Sequence, residues 1–464
     1  MGKMPALQIA LAMLFACACI HPATAAQGPR NEEGRQVTKK LETASEKPGS
    51  VASQAPEWLG IAVEHRSRYE TLDNRFRLGE TGSDQQLAQR TRVRVSSNRI
   101  LKPVGFLFEF EDARVHLDDS GSTVTNNHVN EHDILQLYAS VPMDRILRLP
   151  GTLYIGRQSF DLGSRRLFAR NRFRNTTNAF DGFRWTMGNE KAWLLHAFVF
   201  QPVLRRMDQL DTRDHGAYFW GAFLSTARAP RFMSEFYYFA LHENRPLPAA
   251  LNRRCSTFGT RFYRDPGAGA VSFELEAALQ LGKLGSSDHL AHLEHVSADY
   301  SWNAPWRPMI TARFDYASGD HDPNDGRIDT FDPLFGARRW EYGPTGIYGA
   351  WSRANFSSPG WALELNPTKK SLIALAMRWS WLAQARDPWA GTKLRDTTGA
   401  AGSCLGSQFE LRLRHSFTNG FRTDIGYVRF CKGSYLERVP GSPGTRDSNY
   451  FYAEANFSFD HIWR

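Results

Sequence analysis

From Trp58 onward the chain repeats one pattern, apolar residues at every second position over runs of about 8–13 residues. Val104, Phe106, Phe108 and Phe110 alternate with Gly105, Leu107, Glu109 and Glu111. Phe273, Leu275, Ala277, Leu279 and Leu281 alternate with Glu274, Glu276 and Gln280. Phe409, Leu411 and Leu413 alternate with Glu410, Arg412 and Arg414. A period of two puts neighbouring side chains on opposite faces of an extended strand. Runs this long suit a tilted membrane-spanning strand, whereas a soluble sandwich uses strands of about 5–6 residues. The stretch QRTRVRV is the sharpest case. Arg90, Arg92 and Arg94 fall on one face, and Thr91, Val93 and Val95 on the other.

The pattern predicts strands near 58–70, 87–98, 104–113, 132–141, 151–158, 179–186, 191–201, 216–226, 231–241, 257–264, 271–282, 290–301, 308–317, 361–366, 371–382, 405–417, 421–431 and 449–463. Every second connection is short, as in RILKP, GNEK, ARAPR, NPTKK and TNG. The others are mostly long: 71–86, 114–131, 159–178, 202–215, 242–256, 318–360, 383–404 and 432–448. Short turns on one rim and long loops on the other predict an all-β fold, a transmembrane antiparallel barrel of about 18 strands. The final NYFYAEANFSFDHIWR alternates as a closing strand does, with Arg464 after the aromatic Trp463 as a departure.

Three segments follow. Residues 1–26 read as a cleaved signal peptide, with Lys3, the apolar ALQIALAMLFACACI and small residues before Gln27. Cys17 fits a lipoprotein box poorly because Phe15 precedes it. Residues 27–56 are polar, charged and poor in large apolar groups, and read as a flexible periplasmic arm. Residues 57–464 form the barrel. No later stretch reaches the 18 apolar residues of a membrane helix. The expected location is the outer membrane of a Gram-negative bacterium, with lipid around the barrel.

If the apolar set faces lipid, the alternate set faces the lumen. That assigns Arg66, Arg68, Arg90, Arg92, Arg94, Arg184, Arg313, Arg378, Arg412, Arg414 and Arg422 to the inner wall. Acids join them: Glu64, Glu109, Glu111, Glu274, Glu276, Asp315, Glu410 and Asp424. The bland alternative is that these charges only pair across strands. Strand 87–98 argues against it, with three Arg and no acid of its own. Arg recognises carboxylates bidentately, and a net charge of +9 favours anionic partners. The loop 159–178 carries Arg165, Arg166, Arg170, Arg172 and Arg174. Its length suits either an inward constriction of the pore or a solvated outer loop.

Asp320, Asp322 and Asn324 sit at i, i+2 and i+4 in SGDHDPNDGRIDTFDPLFG. Hard oxygens at that spacing make calcium a weak candidate in loop 318–332, against a hydrogen-bonded turn. No other cofactor is expected. Cys404 and Cys431 flank the TNG hairpin and are a disulfide candidate, leaving Cys255 free. His289 and His295 share a strand face while His292 takes the other, which argues against a three-His metal site. There is no GxSxG, HExxH or glycine-rich phosphate loop, so no enzyme is expected.

Three stretches resemble the alginate export family: YIGRQSFDLGSRRLF with NAFDGFRW, ASGDHDPNDGRIDTFDPLFG, and NPTKKSLIALAMRWSWLA with NYFYAEANFSF. The second is the most specific, and the GRQ of the first implies that Arg157 lines the pore. The resemblance implies a monomeric barrel of about 18 strands with an arginine-rich, anion-selective pore. It implies passive secretion of alginate, whose carboxylate on every ring suits such a lumen. A periplasmic secretion partner is a further expectation, and nucleic acid is not a partner. The alternative is a porin for uptake of small anions or organic acids.

Overall fold

The computed structural model describes residues 59–462, apart from 190–191, 230 and 246–251. The expected signal peptide, the arm and the final Trp463 and Arg464 lie outside the described residues. The barrel wall begins with β1 (Leu59–Asp73), β2 (Asp84–Leu101), β3 (Val104–His116), β4 (Asn130–Pro142) and β5 (Thr152–Gln158). It continues with β6 (Phe180–Asn189), β7 (Trp193–Leu204), β9 (Ala217–Ala229), β10 (Phe232–Glu243), β11 (Arg253–Arg264) and β12 (Ala270–Leu284). It ends with β13 (Ser287–Ser301), β14 (Met309–Ala317), β16 (Phe356–Thr368), β17 (Ser371–Trp381), β18 (Cys404–Ser416), β19 (Phe421–Lys432) and β20 (Ser448–Ile462). Two-residue strands, β8 (Thr212–Arg213) and β15 (Arg327–Ile328), belong to loops.

Each wall strand pairs antiparallel with the next, and β20 pairs with β1, so eighteen strands close on themselves. Closure removes the free edges that an open sheet would leave unsatisfied in lipid. The register follows the alternation. Val63 faces Val93 and Val95 faces Phe108 on one side of the sheet. Arg66 faces Arg90, and Glu64 faces Arg92, on the other. Phe108, Phe183, Val199, Phe258, Val296, Phe314, Leu413 and Phe459 are large and exposed, and they form the outward belt. Such a belt suits hydrocarbon and would be an aggregation surface in water.

The inner face departs from the expectation of a polar wall. On β6 to β10 it carries Phe180, Phe198, Phe200, Phe219, Phe223 and Phe239, all buried, while Val199, Tyr218 and Phe236 between them are exposed outside. Two long loops supply the partners. Phe168 lies 4.8 Å from Phe180 and 5.6 Å from Phe219, centroid to centroid, and Phe335 lies 5.0 Å from Phe180. Apolar groups are tolerated inside because these loops, not water, cover them. Apolar packing and charge therefore share the inner face: a second buried cluster places Val428, Phe430, Tyr450 and Tyr452 of β19 and β20 against Phe76, Tyr348 and Trp351.

Candidate functional site

One charged stretch of the inner face is built by β18, β19, β20, β1, β2 and β3, which are neighbours around the wall. Their inward positions and two loops line one cavity of about 110 Å³. Its lining holds ten arginines, Arg66, Arg90, Arg92, Arg94, Arg170, Arg172, Arg339, Arg412, Arg414 and Arg422. Four carboxylates share it, Glu64, Glu109, Asp424 and Glu454. Guanidinium groups stay protonated at any working pH, so the cavity carries a standing excess of positive charge.

The wall arginines are not bare. Arg90 Nη2 donates to Glu64 at 2.8 Å, and Arg92 Nε donates to Glu111 at 2.8 Å. Arg68 bridges Glu70 at 2.5 Å and Glu454 at 3.3 Å. Arg412 and Arg414 share Asp424 at 2.6 and 3.1 Å. The column Arg90, Arg92, Arg94 is thus partly neutralised by the adjacent strands, and the pairs hold each guanidinium in a fixed orientation.

Loop 159–179 crosses this space. At one end Arg166 binds Glu274 at 2.5 Å, and also Glu276 and Glu341. At the other end Arg66 donates to the Arg172 carbonyl at 2.9 Å, Arg68 to the Phe173 carbonyl at 2.6 Å and Arg90 to the Arg172 carbonyl at 3.2 Å. Arg92 donates to the Thr177 hydroxyl, and Arg170 reaches Glu109 at 3.1 Å. Glu274 and Glu276 stand on β12 and Arg66 on β1, across the barrel from each other. The loop therefore spans the lumen. Phe173 also stacks under Arg68, 4.0 Å from ring to guanidinium.

Loop 318–355 is the second arm of the same plug, and sequence reasoning read it only as a metal or turn segment. Its Phe335 and Ala337 amides donate to the carbonyls of Leu167 and Arg165 at 3.0 and 2.9 Å. A Cβ on Gly336 would sit 1.7 Å from the Arg166 carbonyl oxygen, so only glycine allows that approach. Arg339 binds Glu410 at 2.9 Å, and Arg353 binds Glu341. Burial alone would raise the Glu341 carboxyl, but Arg166 and Arg353 hold it down at about 2. The arginine run in GARRWEYG was the available signal for this arm.

Several other expected residues take different roles. Arg157 does not line the lumen. It shares its strand face with the exposed Ile155, lies at the loop-side rim of a notch that opens outward, and is bidentate on Asp181 at 2.8 and 3.2 Å. The motif assigned it; the parity with Ile155 would have corrected that. Arg184 does face inward, with its guanidinium 4.2 Å from the Tyr154 ring and 4.1 Å from Phe160. Arg378 binds Asp315 at 3.1 Å on the core side, away from the cavity, and Arg313 shares the inward face of β14 with Asp315. Arg174 lies on the crossing loop.

The calcium reading gives way to turns. Asp322 accepts from the Asn324 amide at 3.1 Å, and the Asp320 amide donates to Asp387 at 3.1 Å. Among the described residues, no group of three or more His, Cys, Asp or Glu is placed to hold a metal ion. The disulfide is also absent: Cys404 and Cys431 are free thiols. Cys431 stands opposite Ser407, three residues along from Cys404, and about 10 Å of strand is beyond disulfide reach.

A family model described as alginate export matches residues 57–448. No curated protein matches the chain. Among solved structures, Pseudomonas aeruginosa OccK11 (OpdR) is 14% identical with a TM-score of 0.56, over 87% of this chain and 96% of that one. OccK5 (OpdH) of the same organism is 12% identical with a TM-score of 0.56, over 88% and 100%. The outer membrane protein OprD, also from Pseudomonas aeruginosa, is 13% identical with a TM-score of 0.54, over 87% and 94%. At these identities the likeness speaks for the barrel alone.

Proposed function

The chain belongs to the alginate export family of outer-membrane barrels, and from that premise we propose that it is a channel for passive export of an anionic polysaccharide, alginate or a near polyuronate. The observation that carries this reading is the cavity with ten arginines against four carboxylates. A polyuronate presents one carboxylate per ring, and Arg holds carboxylates through paired N–H donors. Several wall arginines already have an acidic partner, as Arg90 has Glu64 and Arg412 has Asp424. A passing carboxylate exchanges with that partner instead of meeting a naked charge. Binding at each step is shallow and repeated, which a conducting path needs. Residues 1–26 serve as the leader that delivers the barrel, and 27–56 as its periplasmic arm. Arg66, Arg90, Arg92, Arg94, Arg412, Arg414 and Arg422 are the residues assigned to the cargo.

The chain passes only when the two-arm plug moves. With both loops inside, about 110 Å³ is left in the arginine cavity, room for several waters or a small anion. That observation favours a second reading, uptake of small organic anions through the loop-in state. Bilayer recordings separate the two. Block of ion current by oligouronates, and not by neutral oligosaccharides of the same length, supports export. Free permeation by acetate or succinate with no oligouronate block supports uptake.

A further inference from the structure

The crossing loop presents a second positive site on its outer side. The Arg174 and Arg205 side chains bind the same two acceptors. Arg174 donates to Asn178 Oδ1 at 2.6 Å and to Asn127 Oδ1 at 3.2 Å. Arg205 donates to the same oxygens at 2.8 and 3.1 Å. Two donor nitrogens sharing the Asn178 oxygen lie at most about 5.4 Å apart. Two guanidinium groups are therefore held side by side by neutral amides. Neither has a carboxylate partner among the described residues: the other acceptors are the carbonyls of Thr176 and Asn126. Arg338, from the second loop, adds a third positive charge to the field at Arg174, and its own bonded acceptor is the Trp351 carbonyl; Glu111 opposes that field at both arginines, and Asp211 at Arg205, without bonding to either. This contrasts with the inner wall, where Arg90, Arg92, Arg68 and Arg412 each have an acid within 3 Å.

Resting on the export reading above, we propose that Arg174 and Arg205 form an exit-side subsite that takes one carboxylate of the acidic polymer between their guanidinium groups. An anion there relieves the repulsion of two adjacent cations and meets donors on both sides. The position fits a sequence of sites. The Arg174 carbonyl is bound by Arg66 and Arg90 of the inner wall, while its side chain points to Asn127 and Asn178 of the long-loop rim. One residue thus joins the inner cavity to the outer pair. A carboxylate leaving the inner arginines next meets these two.

The test uses the full-length channel in planar bilayers, with a uronate trisaccharide added to either side. The Arg174→Gln/Arg205→Gln double variant removes two charges and keeps donors for the asparagines. The expected result is a fall of about tenfold in the association rate of block from the long-loop side, with block from the short-turn side unchanged. Equal block of wild type and double variant from the long-loop side would overturn the subsite. Absence of wild-type block from the long-loop side overturns it too. Absence of block from the short-turn side is the separate failure of the export reading. Should the double variant not fold, as judged by heat-modifiable migration, Arg205→Gln alone carries the same comparison with a smaller effect.

Discussion

Replacing Arg166 by Ala strikes the point where the crossing loop is fastened. Arg166 is 3% exposed and meets Glu274, Glu276 and Glu341 on one guanidinium. Removing one partner of a buried ion network costs about 3–5 kcal/mol, because the remaining charges keep their burial and lose their counter-ion. Arg261 still reaches Glu274 at 2.9 Å and compensates in part, so the lower figure of about 3 kcal/mol applies. The penalty weighs on the loop-in state, since water reaches the glutamates once the loop leaves. A shift of that size changes the ratio of loop-out to loop-in channels about a hundredfold. Single-channel recordings check it directly: Arg166→Ala should open far more often than wild type and reach a larger conductance, while Arg166→Lys lies between. An Arg166→Ala channel with unchanged conductance and open fraction would refute the assignment of this network as the loop's anchor.

Three other outcomes follow from single groups. Gly336→Val drives a side chain into the Arg166 carbonyl, so the two loop arms separate; protease cleavage within 159–179 should then become faster in intact barrels. Burial, with Asp133 close by, pushes the Asp211 carboxyl up to about 7, so its proton favours the folded rim and stability falls as pH rises from about 4 to 7; Asp211→Asn should flatten that slope in thermal melts. Cys404 and Cys431 should both label with a maleimide under non-reducing conditions after unfolding, and a mass lower by two hydrogens would show a disulfide instead.

The strands were legible because lipid outside imposes a two-residue rhythm over runs longer than a soluble sheet uses. Val63, Val93 and Phe108 lie in adjacent strands and share the outward face, so the strands and their faces could be read, while the register came from the structure. Boundaries slipped where the rhythm is masked. Strand β11 starts at Arg253, inside RRCST, where no large apolar residue announces it. Strand β16 starts at Phe356, five residues before Trp361, because Ser357, Ser358, Pro359 and Gly360 hide the pattern. The aromatic cluster inside β6 to β10 was not legible. In AWLLHAFVF both faces are apolar, and the identity of the inner partner, Phe168 or Phe335, lies in loops far along the chain. The arginines of 90–94 were legible as an inward column, but their neutralisation by Glu64 and Glu111 depends on register. The second plug arm had only the unusual string TFDPLFG and the following arginines to mark it.

Ion selectivity under a salt gradient tests the assignment of an anionic cargo most directly. Wild-type channels in a tenfold gradient of potassium chloride should show a reversal potential of the sign set by chloride. Replacing Arg90, Arg92 and Arg94 by Ser should move that potential toward zero. A cation-selective wild type, or a triple variant with unchanged selectivity, would contradict an arginine-lined path as the route of the cargo.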